Sequence, residues 1–410
     1  SLIEHPSFMK GIVMRVIAIN IARILATLCV IVGFSAATPA AYAAPKEQTE
    51  VTESVPPTAP VHDAPVKVLD DIPSHRILMD YDHTCVIDNH NEVWCWGANT
   101  FGQLGRGYAS DEVLPQPQAI QGLKATSISE AGNGQTCAVT TEDSVVCWGI
   151  NSRNKDNADK SNVPVHKHPG LPADKKFKRA GDSCFIDSGD MLWCENEEGR
   201  GQLLGDVKVQ AASGSLTEGC AVSLDHSLYC WMDKRAATNP LKEPSQSPKK
   251  IEGMTAALVT TSTGGNRCVV ETDGTPHCWG RDMFGELGHD AKTRKKIDLS
   301  KIKATSISSS SHNTCVVDDR QVPWCWGSGF GGIVDGNKPL RGLGVHANYK
   351  NLEGVKAVTV ATEASRTCYV DTEGAFWCWG RNKNGELGNG TTTDSPVPVK
   401  VEGLTVALTP

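Results

Sequence analysis

Cys368-Tyr-Val-Asp-Thr-Glu-Gly-Ala-Phe-Trp-Cys378-Trp-Gly380, followed by Gly385-Glu-Leu-Gly388, reads as a β-hairpin with a cysteine on each arm and a tryptophan-rich second strand. The unit recurs along the chain. Cys85 and Cys95, Cys137 and Cys147, Cys184 and Cys194, Cys220 and Cys230, Cys268 and Cys278, Cys315 and Cys325, and Cys368 and Cys378 all share one spacing. These pairs take fourteen of the fifteen cysteines, leaving Cys29. All ten tryptophans fall at one phase: Trp96, Trp148, Trp231, Trp279, Trp326 and Trp379 follow the second cysteine, and Trp94, Trp193, Trp324 and Trp377 precede it. Successive first cysteines are 52, 47, 36, 48, 47 and 53 residues apart. Each hairpin is preceded by another strand-like segment, often with a Gly-Leu or Gly-Val step, as at Gly122, Gly253 and Gly354. Three or four short strands at this period mark a β-propeller, one blade per unit. The expected fold is therefore all-β, a seven-bladed propeller over residues 66–410.

The amino-terminal region has a different character. Ser1 stands ahead of Met9 and Met14, either a plausible start, so residues before Met9 are candidates for non-native additions. Lys10, Arg15 and Arg23 form a positive segment, residues 24–34 are mainly apolar, and Ala41-Tyr42-Ala43 is a small-residue cleavage signal. Residues 1–43 thus read as a secretory signal peptide cut after Ala43, with an uncleaved anchor as the alternative. Residues 44–65 are rich in Pro, Thr and Glu and read as a disordered linker. No other segment is long and apolar enough to span a membrane. Removing 1–43 moves the formal charge from −7 to −9. Such an acidic chain opposes the counterion release that drives nucleic-acid binding, and no nucleic-acid partner is expected.

Positions i and i+10 of a hairpin with a central turn such as 372–374 lie opposite each other, with Cβ atoms about 4.5–5.5 Å apart. Three chemistries compete for such a pair. One disulfide per blade is favoured by the export signal and the even cysteine count after residue 43. Zinc needs four ligands where each pair offers two. Buried free thiols are the third. Trp94 and Trp96 share a strand face opposite Cys95, and packing between blades is expected of such aromatics.

The motif Cys-Trp-Gly-x-Asn-x-x-Gly-Gln/Glu-Leu-Gly, clearest at 95–105 and 378–388, resembles the repeat of the regulator of chromosome condensation family over about residues 66–408. That resemblance implies a seven-bladed propeller working through protein–protein contacts. Within the family the chain resembles secreted, bacterial-type members, some of which inhibit extracytoplasmic enzymes such as β-lactamases. The nucleotide-exchange role of nuclear members does not transfer to an exported chain. Repeats two, four and six depart from the glycine motif; the third retains it as Gly201-Gln-Leu-Leu-Gly205. Residues 396–408 copy the segment that precedes each hairpin and are expected to complete the blade of hairpin 85–95, in competition with residues 66–80.

Nothing linear marks catalysis. His83, His277 and His312 share no repeat phase, and no metal, phosphate or nucleophile motif is present. No residue is singled out as catalytic, metal-binding or cofactor-binding, and no cofactor is expected. Lys292-Thr-Arg-Lys-Lys296 reads as a solvated basic loop, and Asn389-Gly-Thr391 is a formal glycosylation acceptor. Length varies at one phase, in 106–118, 151–168, 233–249, 289–299 and 328–350, so one face of the disc is expected to carry the irregular loops. The reading is a secreted, periplasmic or cell-surface monomer that binds an extracytoplasmic protein through that face, as an inhibitor or assembly factor. The alternative is a hydrolase or lyase of envelope polysaccharide centred on the channel.

Overall fold

The computed structural model describes residues 73–131, 135–150, 159–195, 200–215, 217–231, 247–262, 264–288, 298–328, 334–335, 338–339, 345–351, 354–363 and 365–408. These all belong to the second of two units, His62–Pro410. The signal segment, the linker, Cys29 and the basic run 292–296 lie outside the described residues.

Blade 1 shows the plan. Strands β1 (Ile77–Met79), β2 (His83–Ile87), β3 (Glu92–Asn99) and β4 (Ser110–Ala131) pair antiparallel in sequence order, from the channel outward. The first half of β4 is the outer strand of blade 1. Its second half, 125–131, is the inner strand of blade 2. The chain changes blade at Gly122, where φ is +71° and a Cβ would meet nothing within 4 Å. Glycine is therefore needed there for its backbone conformation rather than for space. This explains the Gly-Leu step that precedes the hairpins. The later inner strands are Phe177–Gly181, residues 209–214, Leu258–Thr261, Ala304–Ser309 and Ala357–Glu363. Seven blades follow from seven hairpins.

Each hairpin turn is fixed locally. In blade 1 the Asn91 N–H donates to the Asp88 carbonyl at 3.1 Å, and Asn91 is left-handed, giving a type I turn with a bulge. The Asp88 carboxylate accepts from the N–H groups of His90 and Glu92 and from Trp94 Nε1 at 3.0 Å. The same carboxylate-to-indole bond joins Asp187 to Trp193, Asp318 to Trp324 and Asp371 to Trp377. Where the residue before the second cysteine is not Trp, the third residue after the first cysteine is not Asp. Thr140 accompanies Val146 and Ser223 accompanies Tyr229 in sequence, and Glu271 pairs with His277 at 2.7 Å. The tryptophans before the second cysteine thus pin turns as well as filling space.

The other six tryptophans serve the seams. Trp96, Trp148, Trp231, Trp326 and Trp379 are buried, and Trp279 is partly so. The described core divides into seven clusters, one per seam, each placing strands of one blade against those of the next. Three indoles close the seams by hydrogen bonds. Trp96, Trp148 and Trp326 donate Nε1 to the carbonyls of Glu386, Gln103 and Glu286, each the second residue of the preceding blade's Gly-x-Leu-Gly loop. A Cβ at Gly388 would lie 2.7 Å from Trp96 Nε1, so the loop must end in glycine to let the indole in.

The paired cysteines sit in these hairpins as direct cross-strand partners: Cys85 with Cys95, Cys137 with Cys147, Cys184 with Cys194, Cys220 with Cys230, Cys268 with Cys278, Cys315 with Cys325, and Cys368 with Cys378. Their common spacing does not give them common cover. The seven first cysteines are buried, as are Cys95, Cys194 and Cys378; Cys147 and Cys325 are nearly so, at 2% and 3% exposed. Cys230 and Cys278 are only partly buried. The cause lies on the outer side of the hairpin. Cys230 pairs outward with Lys249 at the very start of its outer strand, and no outer strand pairs with Cys278 among the described residues.

One expectation needs correction. Residues 396–408 do not complete the blade of hairpin 85–95. Ser395–Thr405 pairs with Ala375–Gly380 and is the outer strand of blade 7. The connection from Gly380 to Ser395 is short, so the nearest free edge is that of its own hairpin. Ile77–Met79 supplies the inner strand of blade 1, and the ring closes through side chains. Gly201-Gln-Leu-Leu-Gly205 keeps the glycine motif but not its loop: Gly201, Gln202 and Leu203 pair with Glu195, Cys194 and Trp193 as outer strand. The interval from Cys184 to Cys220 is the shortest in the chain. With so little chain to return on, the motif itself is drawn into the sheet.

Candidate functional site

Strand direction gives the disc two unlike faces. One carries the hairpin turns at 88–91, 140–144, 187–190, 223–226, 271–274, 318–321 and 371–374. The other carries the turns from inner to second strand, such as 80–82. Gly97 pairs with His83 and Asn99 with Ser110, so the loop between β3 and β4 leaves on this second face. Trp148, Trp231, Gly280, Gly327 and Gly380 end their strands beside the same turns. The length-variable segments therefore all depart from one face, as their shared phase implied.

The channel opens at the centre of that face, with a cavity of about 480 Å³ lined by inner strands of all seven blades. Its rim is chemically lopsided. Blades 7, 1, 2 and 3 contribute Glu363, Asp80, Asp82, Glu130 and Asp182, the other four bearing on Glu130. Blades 4, 5 and 6 contribute Ser213, Ser215, Thr260, Thr261, Ser262 and Ser308–Ser311, together with Glu218, whose charge Arg267 meets at 3.1 Å. Burial and then the charges of Asp80, Asp182, Glu363 and Asp82 push the Glu130 carboxyl well up. Burial also raises Asp182, although its carboxylate accepts from Ser213 Oγ at 2.6 Å and Gly214 N–H at 2.7 Å. Asp82 differs. Burial would raise it, but His83 and Gln103 hydrogen bonds hold it below the usual range.

One cation balances part of this charge. The buried Arg366 guanidinium donates to the backbone carbonyls of Asp80, Tyr81 and His83, tying blade 7 to blade 1. Above it, Arg381 lies 5.1 Å over the exposed Tyr81 ring and donates to its hydroxyl.

The profile of the regulator of chromosome condensation (RCC1) repeat matches residues 90–139 and 373–407. The ultraviolet-B receptor UVR8 of Arabidopsis thaliana is 25% identical over 347 residues, 83% of this chain and 61% of the receptor. Two stretches of this chain thus carry the RCC1 repeat. The mitochondrial RCC1 domain-containing protein RUG3 of the same plant is 23% identical, over 77% of this chain and 67% of its own length. The chain thus spans about two thirds or less of these relatives. Yeast RCC1 (Prp20), solved bound to Kap60, superposes with a TM-score of 0.62 at 15% identity, covering 87% of this chain and 91% of that one. That likeness concerns the fold.

All seven predicted cysteine pairs have Cα atoms 4.0–4.1 Å apart and sulfurs at bonding distance, Cys137–Cys147, Cys220–Cys230 and Cys315–Cys325 no less than the rest. With each sulfur bonded to its partner, neither a free thiol nor a zinc thiolate is left at these fourteen positions. Such pairs suit an oxidising compartment. The histidines are dispersed. His83 is buried between Asp82 at 3.3 Å and Thr136 at 3.1 Å. His277 pairs with Glu271, and His312 stacks on Phe284 with ring centroids 4.5 Å apart. Asp80, Asp82 and His83 bring three ligand atoms within 4.8 Å of one another. The Arg366 guanidinium behind them opposes a metal ion at that spot. Asn389 of the glycosylation signal accepts from Thr391 N–H and Oγ within its own turn.

Sequence reasoning missed the acidic rim. Its members lie within seven residues before a first cysteine, so a repeat-by-repeat alignment carries the signal.

Proposed function

We propose that the protein is exported and binds an extracytoplasmic protein through its loop-bearing face, as a monomeric inhibitor or assembly factor. The observation that carries this reading is the coincidence, on one face, of every length-variable segment with an acidic channel mouth whose charge Arg366 balances only in part. Among the described residues the opposite face carries short hairpin turns, several locked by their own aspartate side chains. Function-bearing loops on a rigid scaffold are the usual arrangement for recognition. Yeast Prp20 is described with Kap60 and with binding to Gsp1p and histones, which makes protein contact a reasonable expectation for a relative. Seven cysteine pairs and the leader-like residues 1–43 support an oxidising destination.

The test is crosslinking capture from the extracytoplasmic fraction of the source cell, comparing the intact chain with variants shortened within 151–168 and within 328–350. Capture should fall at least tenfold in one or both variants while the thermal midpoint holds. Undiminished capture by both would exclude the loop-bearing face. Turnover of envelope polysaccharide without any captured protein would favour the hydrolase instead.

A further inference from the structure

The central cavity has a floor. The 3-10 turn Pro73–Arg76 packs against the inner strands of blades 2, 3 and 7. Arg76 donates to the Asp88 carbonyl and the Asn91 side chain in the hairpin turn, which fixes this segment at the far end. His75 reaches the cavity lining. What enters therefore comes from the loop-bearing face. At about 480 Å³ the space falls within the roughly 300–1,000 Å³ of ligand-sized pockets.

We propose that this pocket receives one cationic side chain, a lysine or arginine, presented by the protein partner. The inference rests on the reading of that face as a docking surface. Glu130 is the focus, because its carboxylate has no hydrogen bond or ion pair to any described residue. Beside it Ser129 lines the same cavity, is 5% exposed, and has an Oγ without a hydrogen-bond partner. A buried hydroxyl left unpaired next to an unpaired carboxylate is a costly arrangement that an entering donor would relieve. The basic groups in the lining are engaged or distant. Arg179 donates to the Gln210 carbonyl at 2.9 Å, His75 lies at the floor, and the lining carboxylate Glu218 is held by Arg267 at 3.1 Å.

The spacing favours an organic cation over a metal ion. Among the described residues only Asp80, Asp82 and His83 bring three ligand atoms within 4.8 Å of one another. Glu130, Asp182 and Glu363 do not converge that closely. An ammonium with three donors or a guanidinium with five can engage such separated acceptors. The hydroxyl side of the rim supplies further acceptors.

The probe is a pair of dye-labelled capped peptides, Gly-Gly-Arg-Gly-Gly and Gly-Gly-Lys-Gly-Gly, with Gly-Gly-Gln-Gly-Gly as the neutral control, titrated against the oxidised full chain by fluorescence anisotropy. At least one cationic peptide should bind ten times more tightly than the control. Glu130→Gln should abolish that preference without lowering the thermal midpoint, because it removes a repelled charge rather than a contact. Glu373→Gln, exposed on the hairpin-turn face, should change nothing. Equal binding of all three peptides, or an undiminished preference in Glu130→Gln, would overturn the proposal. The two readings also separate. A loop-shortened chain that loses its partner but still prefers the cationic peptide refutes the docking face alone. Undiminished partner capture by Glu130→Gln refutes the cation seat alone.

Discussion

The seam between blades 7 and 1 and the seam between blades 2 and 3 solve the same problem by different means. Among the described residues no backbone segment runs from blade 7 to blade 1. Polar bonds do the joining: Arg366 to three carbonyls, Trp96 Nε1 and Thr84 Oγ to the Glu386 carbonyl, Asn89 N–H to the Thr405 carbonyl, and Gly390 N–H to the Pro115 carbonyl. Between blades 2 and 3 the chain itself crosses. There the indole is absent: Glu195 stands at its position, and no Gly-x-Leu-Gly precedes it. His168, from the segment that replaces that loop, meets Glu195 at 2.5 Å, while His168 Nδ1 accepts from the N–H groups of Gly170 and Leu171. One Glu195 oxygen, Oε2, is buried without a partner. The lesson concerns where sequence can drift. A seam spliced by backbone tolerates an ionisable substitute for the indole, whereas the unspliced seam keeps the indole and adds the Arg366 lock.

The sharpest way to break the comparison is Arg366→Met. It removes a buried guanidinium from three carbonyls across the seam and should cost about 3–5 kcal/mol, the scale of breaking a buried charged network, read as a lower urea midpoint. A loss under ~1 kcal/mol would mean the seam does not depend on it. Next comes replacement of both cysteines of one blade by serine. Closing a loop of this size is worth about 3 kcal/mol in the chain-entropy model. The pair Cys368 and Cys378 packs against Trp96 at the unspliced seam. Its removal should therefore lower the thermal midpoint further than removal of Cys184 and Cys194.

Trp96→Phe keeps most of the apolar volume but removes one of the two donors to the Glu386 carbonyl, leaving Thr84 Oγ, at about 1–2 kcal/mol. Glu195→Gln keeps an acceptor for His168 and should cost about 1 kcal/mol or less. If the two losses, measured in parallel denaturant titrations, are equal, the distinction between the seams fails. The mildest effect is at the acidic rim and has the opposite sign. Glu130 is raised in the fold, so between the unfolded carboxyl value near 4.3 and its folded value the native state holds the extra proton. Stability therefore falls as pH rises through that window. Glu130→Gln should raise the thermal midpoint at neutral pH and leave it unchanged near pH 4.

Much of this architecture was legible because it is periodic. Cysteine spacing gave the pairs and the blade count, and loop length at a fixed phase gave the variable face. What escaped depended on closing the ring. Asp80, Glu130, Asp182 and Glu363 read singly as solvated carboxylates; only the circular arrangement makes them neighbours. The tail at 396–408 has the composition of an inner segment, and its true place follows from a short connection rather than from its residues. Gly201–Gly205 matches the seam motif letter for letter apart from one added leucine, yet the length of chain that follows it dictates strand. The thinner cover of Cys230 and Cys278 was equally hidden, because it depends on what pairs outside the hairpin and not on the hairpin itself. The pairing of Trp94, Trp193, Trp324 and Trp377 with an aspartate three residues after the first cysteine was present in the sequence. It becomes visible when the seven units are aligned on their cysteines.

The outer strand of blade 7 belongs wholly to its own blade. Leu408 and Ile77, near the two ends of the described propeller, pack in the same cluster. Topologically the molecule is a necklace fastened by a clasp rather than a belt woven through its own buckle. Joining the ends and reopening the chain in a variable loop such as 151–158 should move the clasp without altering a single blade. Under tension, the ring should part first where it is only fastened.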